Sequence, residues 1–187
     1  MKIYIDIGTN SMGGYEKLMK ELGIDETWFK VFIEPNPECH KYIESQIGNS
    51  SNCKLIKGGC YYKEGVFELL TRDDMSGDSA ATLLGHKFIT DSIGSVNQEI
   101  PSYNKYQVNT YTLSNIIDSV DYSEELYIKM DCEGAEYDIL ENLESKYLHR
   151  IKKLYVEFHA HDEQMRNRRD KIIDFYNRIN IQILNWD

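Results

Sequence analysis

Cysteine is sparse and scattered: Cys39, Cys53, Cys60 and Cys132 form no CxxC pair, and no histidine stands beside them at zinc-finger spacing. Neither a disulfide framework nor a structural zinc site is implied. Reduced, mostly buried thiols follow, in a cytoplasm-like compartment. Three prolines in 187 residues leave no proline-rich linker, and no serine-rich tract or internal repeat divides the chain. No segment approaches the roughly 18 consecutive apolar residues of a membrane span, and the opening MKIYIDIG has no apolar h-region or small-residue cleavage site. The expectation is a soluble, unexported, cytoplasmic protein. Basic residues are also in deficit, 21 Lys and Arg against 31 Asp and Glu, for a formal charge of -10. That is the wrong sign for a protein whose affinity comes from neutralising phosphates, so no nucleic-acid partner is expected.

What is there is an ordinary globular composition, 41% hydrophobic and 28% charged, at a length that suits one domain of about 100 to 200 residues. Strand signals alternate with helical ones from end to end, the pattern of an α/β domain with a mainly parallel sheet flanked by helices. Strands are expected at Lys2 to Ile7, Phe29 to Glu34 and Lys54 to Lys57, with Val66 to Thr71 as a following hairpin arm. Further strands are expected at Val108 to Thr112, Leu126 to Asp131, Ile151 to His159 and Ile181 to Trp186. A helix after Gly13-Gly14 should end near Gly23, and Pro35 and Pro37 open another that runs through Ile47. Leu113 to Val120 and Asp162 to Ile179 also read as helical. Residues 73–105, rich in Gly, Ser and Asp, are too long for an idle connection and suggest a lid or substrate loop.

Asp6-Ile7-Gly8-Thr9-Asn10, followed by Gly13-Gly14, occupies the turn from a first strand to a first helix, where α/β sheets offer backbone N–H groups to cofactors. A P-loop needs Lys and then Ser or Thr where Gly14 and Tyr15 stand, which disfavours a nucleoside triphosphate. A dinucleotide site needs GxGxxG, and Asn10 replaces its second glycine, which weakens NAD. Asp6 would repel a pyrophosphate but could pair with the ammonium of an amino-acid-like cofactor, which points to S-adenosylmethionine. Glu34 ends the second strand, where an acid accepts hydrogen bonds from the ribose hydroxyls of either adenosine cofactor.

Taken together, IDIGTNSMGG, FIEPNPECH, TLSNIID, IKMDCEGAEYDILENL and LYVEFH, in this order from about residue 3 to 160, resemble the FkbM family of S-adenosylmethionine-dependent methyltransferases. The Ile128 to Glu136 segment is the most specific block. The resemblance implies a Rossmann-like class I methyltransferase fold acting on a hydroxyl of a small-molecule or glycan substrate: a sugar, a glycoconjugate or a polyketide-type product. Carried over by position, it assigns Asp6, Gly8, Thr9, Asn10 and Gly13 to the methionine-end loop. Glu34 becomes the ribose acid with Asn36 beside it, Cys60 and Tyr61 cover the adenine, and Ser79 belongs to a small hydroxyl-bearing loop near the cofactor. The chain stops on a terminal strand without an evident last antiparallel one. The expectation is a single methyltransferase domain, either a compact variant or one domain of a longer protein whose other domains would carry substrate-binding parts.

Methyl transfer to a hydroxyl requires alignment of donor, carbon and oxygen, and removal of a proton from a poor acid. Asp131 ends the central strand, and Glu157 and His159 fall on one face of the expected neighbouring strand, so that all three converge at the carboxyl edge of the sheet. Two readings stand level. Asp131, Glu157 and His159 could hold Mg²⁺ or Mn²⁺, which suit an oxygen-rich set with one imidazole. Alternatively, His159, oriented by Asp131 or Glu133, takes the proton directly. Lys129 either reaches the substrate, bonds a carbonyl at the sheet edge, or snorkels to solvent. Glu136 reads as a first-turn helix acid. Phe88, Tyr103, Tyr106 and Tyr111 are candidate sugar-stacking rings, more often loop anchors. The rival readings are an NAD-binding oxidoreductase and a non-catalytic cofactor-binding module.

Overall fold

The computed structural model describes residues 1–72, 81–82, 103–120 and 125–186. The chain begins with β1 (Lys2–Ile7), α1 (Gly13–Leu22), β2 (Phe29–Glu34), α2 (Pro37–Ile47) and β3 (Cys53–Lys57). Then come β4 (Gly59–Cys60), β5 (Gly65–Arg72), β6 (Ala81–Thr82), β7 (Tyr103–Tyr111) and α3 (Leu113–Asp118). The last part holds β8 (Glu125–Met130), α4 (Glu136–Glu141), a 3₁₀ turn (Ser145–Arg150), β9 (Ile151–Val156), α5 (Glu163–Arg178) and β10 (Ile183–Asn185). A six-stranded sheet runs in the order β10-β9-β8-β1-β2-β3, and every pairing in it is parallel. The expected α/β architecture, a parallel sheet with flanking helices, is what forms.

Parallel strands covered on both faces read as continuous apolar runs, and KIYIDI and FKVFIE do. Ile3, Ile5 and Ile7 of β1 join Val31 and Ile33 of β2 in one core. Tyr4 and Phe32 point the other way, into a second core with Leu18 of α1, Tyr155 and Trp186. Helix ends follow local chemistry. Gly23 closes α1 in the left-handed region at φ 64° with its N–H on the Met19 carbonyl. The side chains of Asn36, Thr112 and Asp162 cap α2, α3 and α5, each accepting a backbone N–H from the first turn.

Two expectations need correction. Val66 to Thr71 is not a hairpin arm of β3. It lies in β5, which runs antiparallel to β7 in a separate four-stranded sheet of order β4-β7-β5-β6. Alternation marks a strand but does not name a partner some forty residues downstream, as between Phe67 and Val108. The strand expected through His159 also stops early, at Val156, because its neighbour β8 ends opposite it at Met130. Beyond Glu157, whose N–H still reaches the Met130 carbonyl at 2.9 Å, no neighbouring strand among the described residues continues the ladder. Among the described residues no helix is long and apolar enough to cross a membrane.

Candidate active site

The chain leaves β1 toward β2 and β3 on one side, and β8, β9 and β10 build the other. The carboxyl ends of β1 and β8 therefore flank the point where strand order reverses, the crevice that open α/β sheets use for ligands. A cleft lies there. Gly8 and Asn10 line it from the first loop, Glu34 from β2, Cys60 from β4, and Asp131 and Glu133 from the segment after β8.

The first loop is tied down from three directions. Gly8 and Thr9 donate their N–H groups to the Ile33 carbonyl at 3.0 and 3.2 Å. The Thr9 hydroxyl accepts the Ile33 N–H at 3.2 Å and faces the Asp6 carbonyl at the same distance. From below, the Lys129 ammonium donates to the Gly8 carbonyl at 2.8 Å. That ammonium is buried, 3.3 Å from Asp6 and 3.6 Å from Asp131. Burial works against its charge, but Asp6 and Asp131 outweigh it and hold the lysine above its ordinary range.

Asp6 is wholly buried beneath the loop, where it also accepts the Tyr4 hydroxyl at 3.1 Å. Its expected contact with a cofactor ammonium does not suit this position; Lys129 holds that place. Lys129 in turn adopts the carbonyl-bonding role among the three foreseen for it, neither snorkelling nor facing the cleft. Gly13 opens α1 and stands outside the cleft lining.

Glu34 sits on the cleft wall, buried, with both carboxylate oxygens engaged: Asn10 N–H on Oε2 and Asn36 N–H on Oε1, each at 2.7 Å. Burial dominates its acidity and, against those two bonds, raises its pKa to about 7. Each oxygen keeps a second lone pair for a hydroxyl donor. Asn36 uses its own side-chain oxygen to cap α2, on the Glu38 N–H at 3.1 Å. Cys60 lines the cleft, with its thiol pushed well up by burial. Tyr61 packs in the core against Tyr62 and Phe67, outside the lining. Ser79 and Phe88 lie outside the described residues. Tyr106 reaches across to Glu38 and the Tyr111 ring packs close to Gly58, so both serve as anchors between elements. Arg168 is bound to Asp138 and Glu141, which joins α5 to α4.

At the rim, His159 stands among four carboxylates. Its Nδ1 lies 3.2 Å from Glu136, while Nε2 is 3.5 Å from Glu133, 3.7 Å from Glu157 and 4.0 Å from Asp131. Burial disfavours the charged ring, yet the hydrogen bond and charge of Glu136, with Glu133 and Asp131, overcome it and raise the pKa to about 9. Burial also pushes the Glu133 carboxyl up, with His159 opposing. Convergence of Asp131, Glu133, Glu157 and His159 is thus present, but a loop and not a strand face produces it. The acid against Nδ1 is Glu136, which the sequence presented as an ordinary helix-start residue. Its only signal was the Glu-Gly-x-Glu spacing. Asp131, Glu133 and His159 offer ligand atoms all within 4.8 Å of one another, a set that exchanges Glu133 for the expected Glu157.

A sequence model of the family described as Methyltransferase FkbM domain matches residues 6–180. Among solved structures, the crystal structure of Methyltransferase FkbM from Methylobacillus flagellatus KT is similar, with a TM-score of 0.55 and 13% identity. The likeness covers 92% of this chain and 37% of that one, and it extends to the fold. No curated protein matches the chain.

Proposed function

The chain belongs to the FkbM methyltransferase family, and from that premise we propose that it transfers a methyl group from S-adenosylmethionine to a hydroxyl oxygen of a sugar, glycan or glycoconjugate. One observation carries the reading: a single cleft at the strand-order switch has the buried acid Glu34 on its wall and His159 beside the Asp131 and Glu133 that line it. Glu34 accepts the ribose hydroxyls through its remaining lone pairs. The first loop, from Gly8 to Asn10, receives the methionine end. Lys129 and Asp6 act from below by fixing the loop. Cys60 presents an apolar face to the adenine. The sugar hydroxyl as acceptor rests on the family resemblance.

The reaction is an in-line displacement in which the carbon–sulfur bond breaks as the carbon–oxygen bond forms and the sulfonium charge disappears. The carboxylates around His159 favour the cationic donor. Nε2 of His159 takes the hydroxyl proton as the oxygen attacks. A second reading, in which Asp131, Glu133 and His159 hold Mg²⁺ or Mn²⁺, is favoured by the compactness of that set; the ion would make the acceptor hydroxyl more acidic by stabilising its alkoxide.

Calorimetric titration with S-adenosylhomocysteine tests the cofactor, with NAD as control. Binding by the parent that weakens in Glu34→Ala supports the reading; NAD bound in preference overturns it. Turnover on a panel of neutral sugar acceptors, with and without a chelator, then separates the two mechanisms. Parent-like turnover in both Asp131→Ala and His159→Ala would remove these residues from the chemistry.

A further inference from the structure

Glu136 is the first residue of α4 and is wholly buried, yet its carboxylate meets donors from two separate loops. Oε1 accepts the His159 backbone N–H at 2.8 Å and faces Nδ1 of the same residue at 3.2 Å. Oε2 accepts the Gly134 N–H at 2.9 Å and lies 3.6 Å from the Cys132 thiol. Backbone amides can only donate, so both oxygens act as acceptors, and the Nδ1 that faces Oε1 carries a hydrogen. Nε2 is then the nitrogen turned to Glu133, Glu157 and Asp131, of which Glu133 and Asp131 line the cleft. The same carboxylate closes the turn in which Glu133 at φ 51° and Gly134 at φ 97° follow one another in the left-handed region. That turn determines where the Glu133 side chain stands relative to the ring. A helix-start acid placed only for the dipole would point to solvent or along its own first turn. This one ties the end of β8 to the chain beyond β9.

We propose that Glu136 is the positioning residue of the methyl transfer inferred above. It fixes the His159 ring through Nδ1 so that Nε2 meets the acceptor hydroxyl, and it holds the Glu133 turn in register with that ring. The proposal rests on the reading of His159 as the base. Glu136→Gln keeps the shape but supplies one acceptor and one NH₂, so either the Nδ1 donor or the Gly134 N–H loses its partner.

The test pairs a spectroscopic readout with kinetics. In protein labelled with ¹⁵N-histidine, and with His159→Gln used for assignment, the parent is expected to show an exchange-protected proton on His159 Nδ1. Glu136→Gln is expected to lose that protection. Its kcat should fall on the order of 100-fold, with KM and the affinity for S-adenosylhomocysteine changed less than about threefold. In the His159→Gln background the same substitution should cost almost nothing more, because the two residues act as a unit. If Glu136→Gln does not fold, Glu136→Asp, which keeps the charge and withdraws it by one methylene, carries the same measurements. A protected Nδ1 proton that survives in the variant, or a rate loss undiminished without His159, overturns the proposal. The ring proton is read without turnover. A parent inactive on every acceptor would therefore sink the methyl-transfer reading, whereas an active parent with an unprotected Nδ1 would sink the positioning role.

Discussion

Gly8 approaches Asp131 so closely that a Cβ built on it falls 1.7 Å from the Asp131 carbonyl oxygen, and its φ of 74° is one that L side chains rarely adopt. The first loop and the end of β8 are therefore in backbone contact, and the neighbour that would have to yield is main chain. Gly8→Ala is expected to destabilise the fold by at least the ~1–3 kcal/mol of a forced left-handed residue. It should also abolish binding of S-adenosylhomocysteine. Denaturant unfolding and calorimetry check both. A variant of parental stability and affinity would mean that the loop can move away from β8 freely.

Lys129 supports the same loop from below. Replacing it by Met leaves Asp6 buried without its charge partner, a loss that costs about 3–5 kcal/mol in comparable buried pairs. The double variant Asp6→Asn/Lys129→Met removes the orphaned charge and should recover much of that loss. Urea denaturation of the two single variants and the double one measures the coupling. Equal stabilities for Lys129→Met and the double variant would show that Asp6 takes up a proton once Lys129 is gone and leaves no orphaned charge.

Glu34 links cofactor binding to pH. Its pKa is raised from 4.5 to about 7 in the folded, ligand-free protein. A raised value means that its contribution to folding is fully present below pH 4.5 and lost as pH climbs through about 7. Ribose hydroxyls donate to the ionised form, so cofactor binding should release a proton. The affinity for S-adenosylhomocysteine should strengthen as pH rises toward neutrality and level off above. Calorimetry in buffers of different ionisation enthalpy counts the proton. Glu34→Gln should bind more weakly and without the pH dependence.

His159 titrates in the same direction but higher. Its pKa, raised from 6.5 to about 9, makes its ion-pair contribution complete below pH 6.5 and lost as pH passes about 9. Stability relative to His159→Gln should decline across that interval. A base must be neutral to act, so kcat/KM should climb with pH toward the same value near 9. An acid limb near pH 6.5 in the rate profile would show that the ring does not feel its four carboxylates.

Three half-exposed carboxylates, on Asp131, Glu133 and Glu157, face the His159 ring at the rim. A phosphorylated or sulfated acceptor should be turned over less well than its neutral parent sugar, and the gap should narrow as salt rises. Paired kinetics at low and high ionic strength test this.

The β1 and β2 segments were legible in the sequence because strands buried on both faces print a mainly apolar run, broken only by Asp6 in the first and Lys30 in the second, and Gly8 and Glu34 then fall at their ends. Helix ends were legible where Asn36 and Asp162 cap and where Gly23 stops a turn. Partner choice was not legible. Nothing local in Val66 to Thr71 distinguishes pairing with β3 from pairing with β7. The site separated along the same line. Residues with a role in the loop backbone announced themselves, whereas Asp6 read as a cofactor ligand and Lys129 stayed open among three roles until their mutual distance was known. Glu136 was hidden for the opposite reason, since an acid in a helix's first turn is commonplace. Only its burial and its two-sided contacts set it apart.

Cys60 enters the cleft from the small four-stranded sheet, while Gly8, Glu34 and Asp131 enter it from the six-stranded one. A molecule lodged there is a rivet between two panels that already share one apolar core. Occupancy should make them unfold as one, and amide exchange along β7 should slow together with that of β1, although β7 itself contributes no side chain to the cleft.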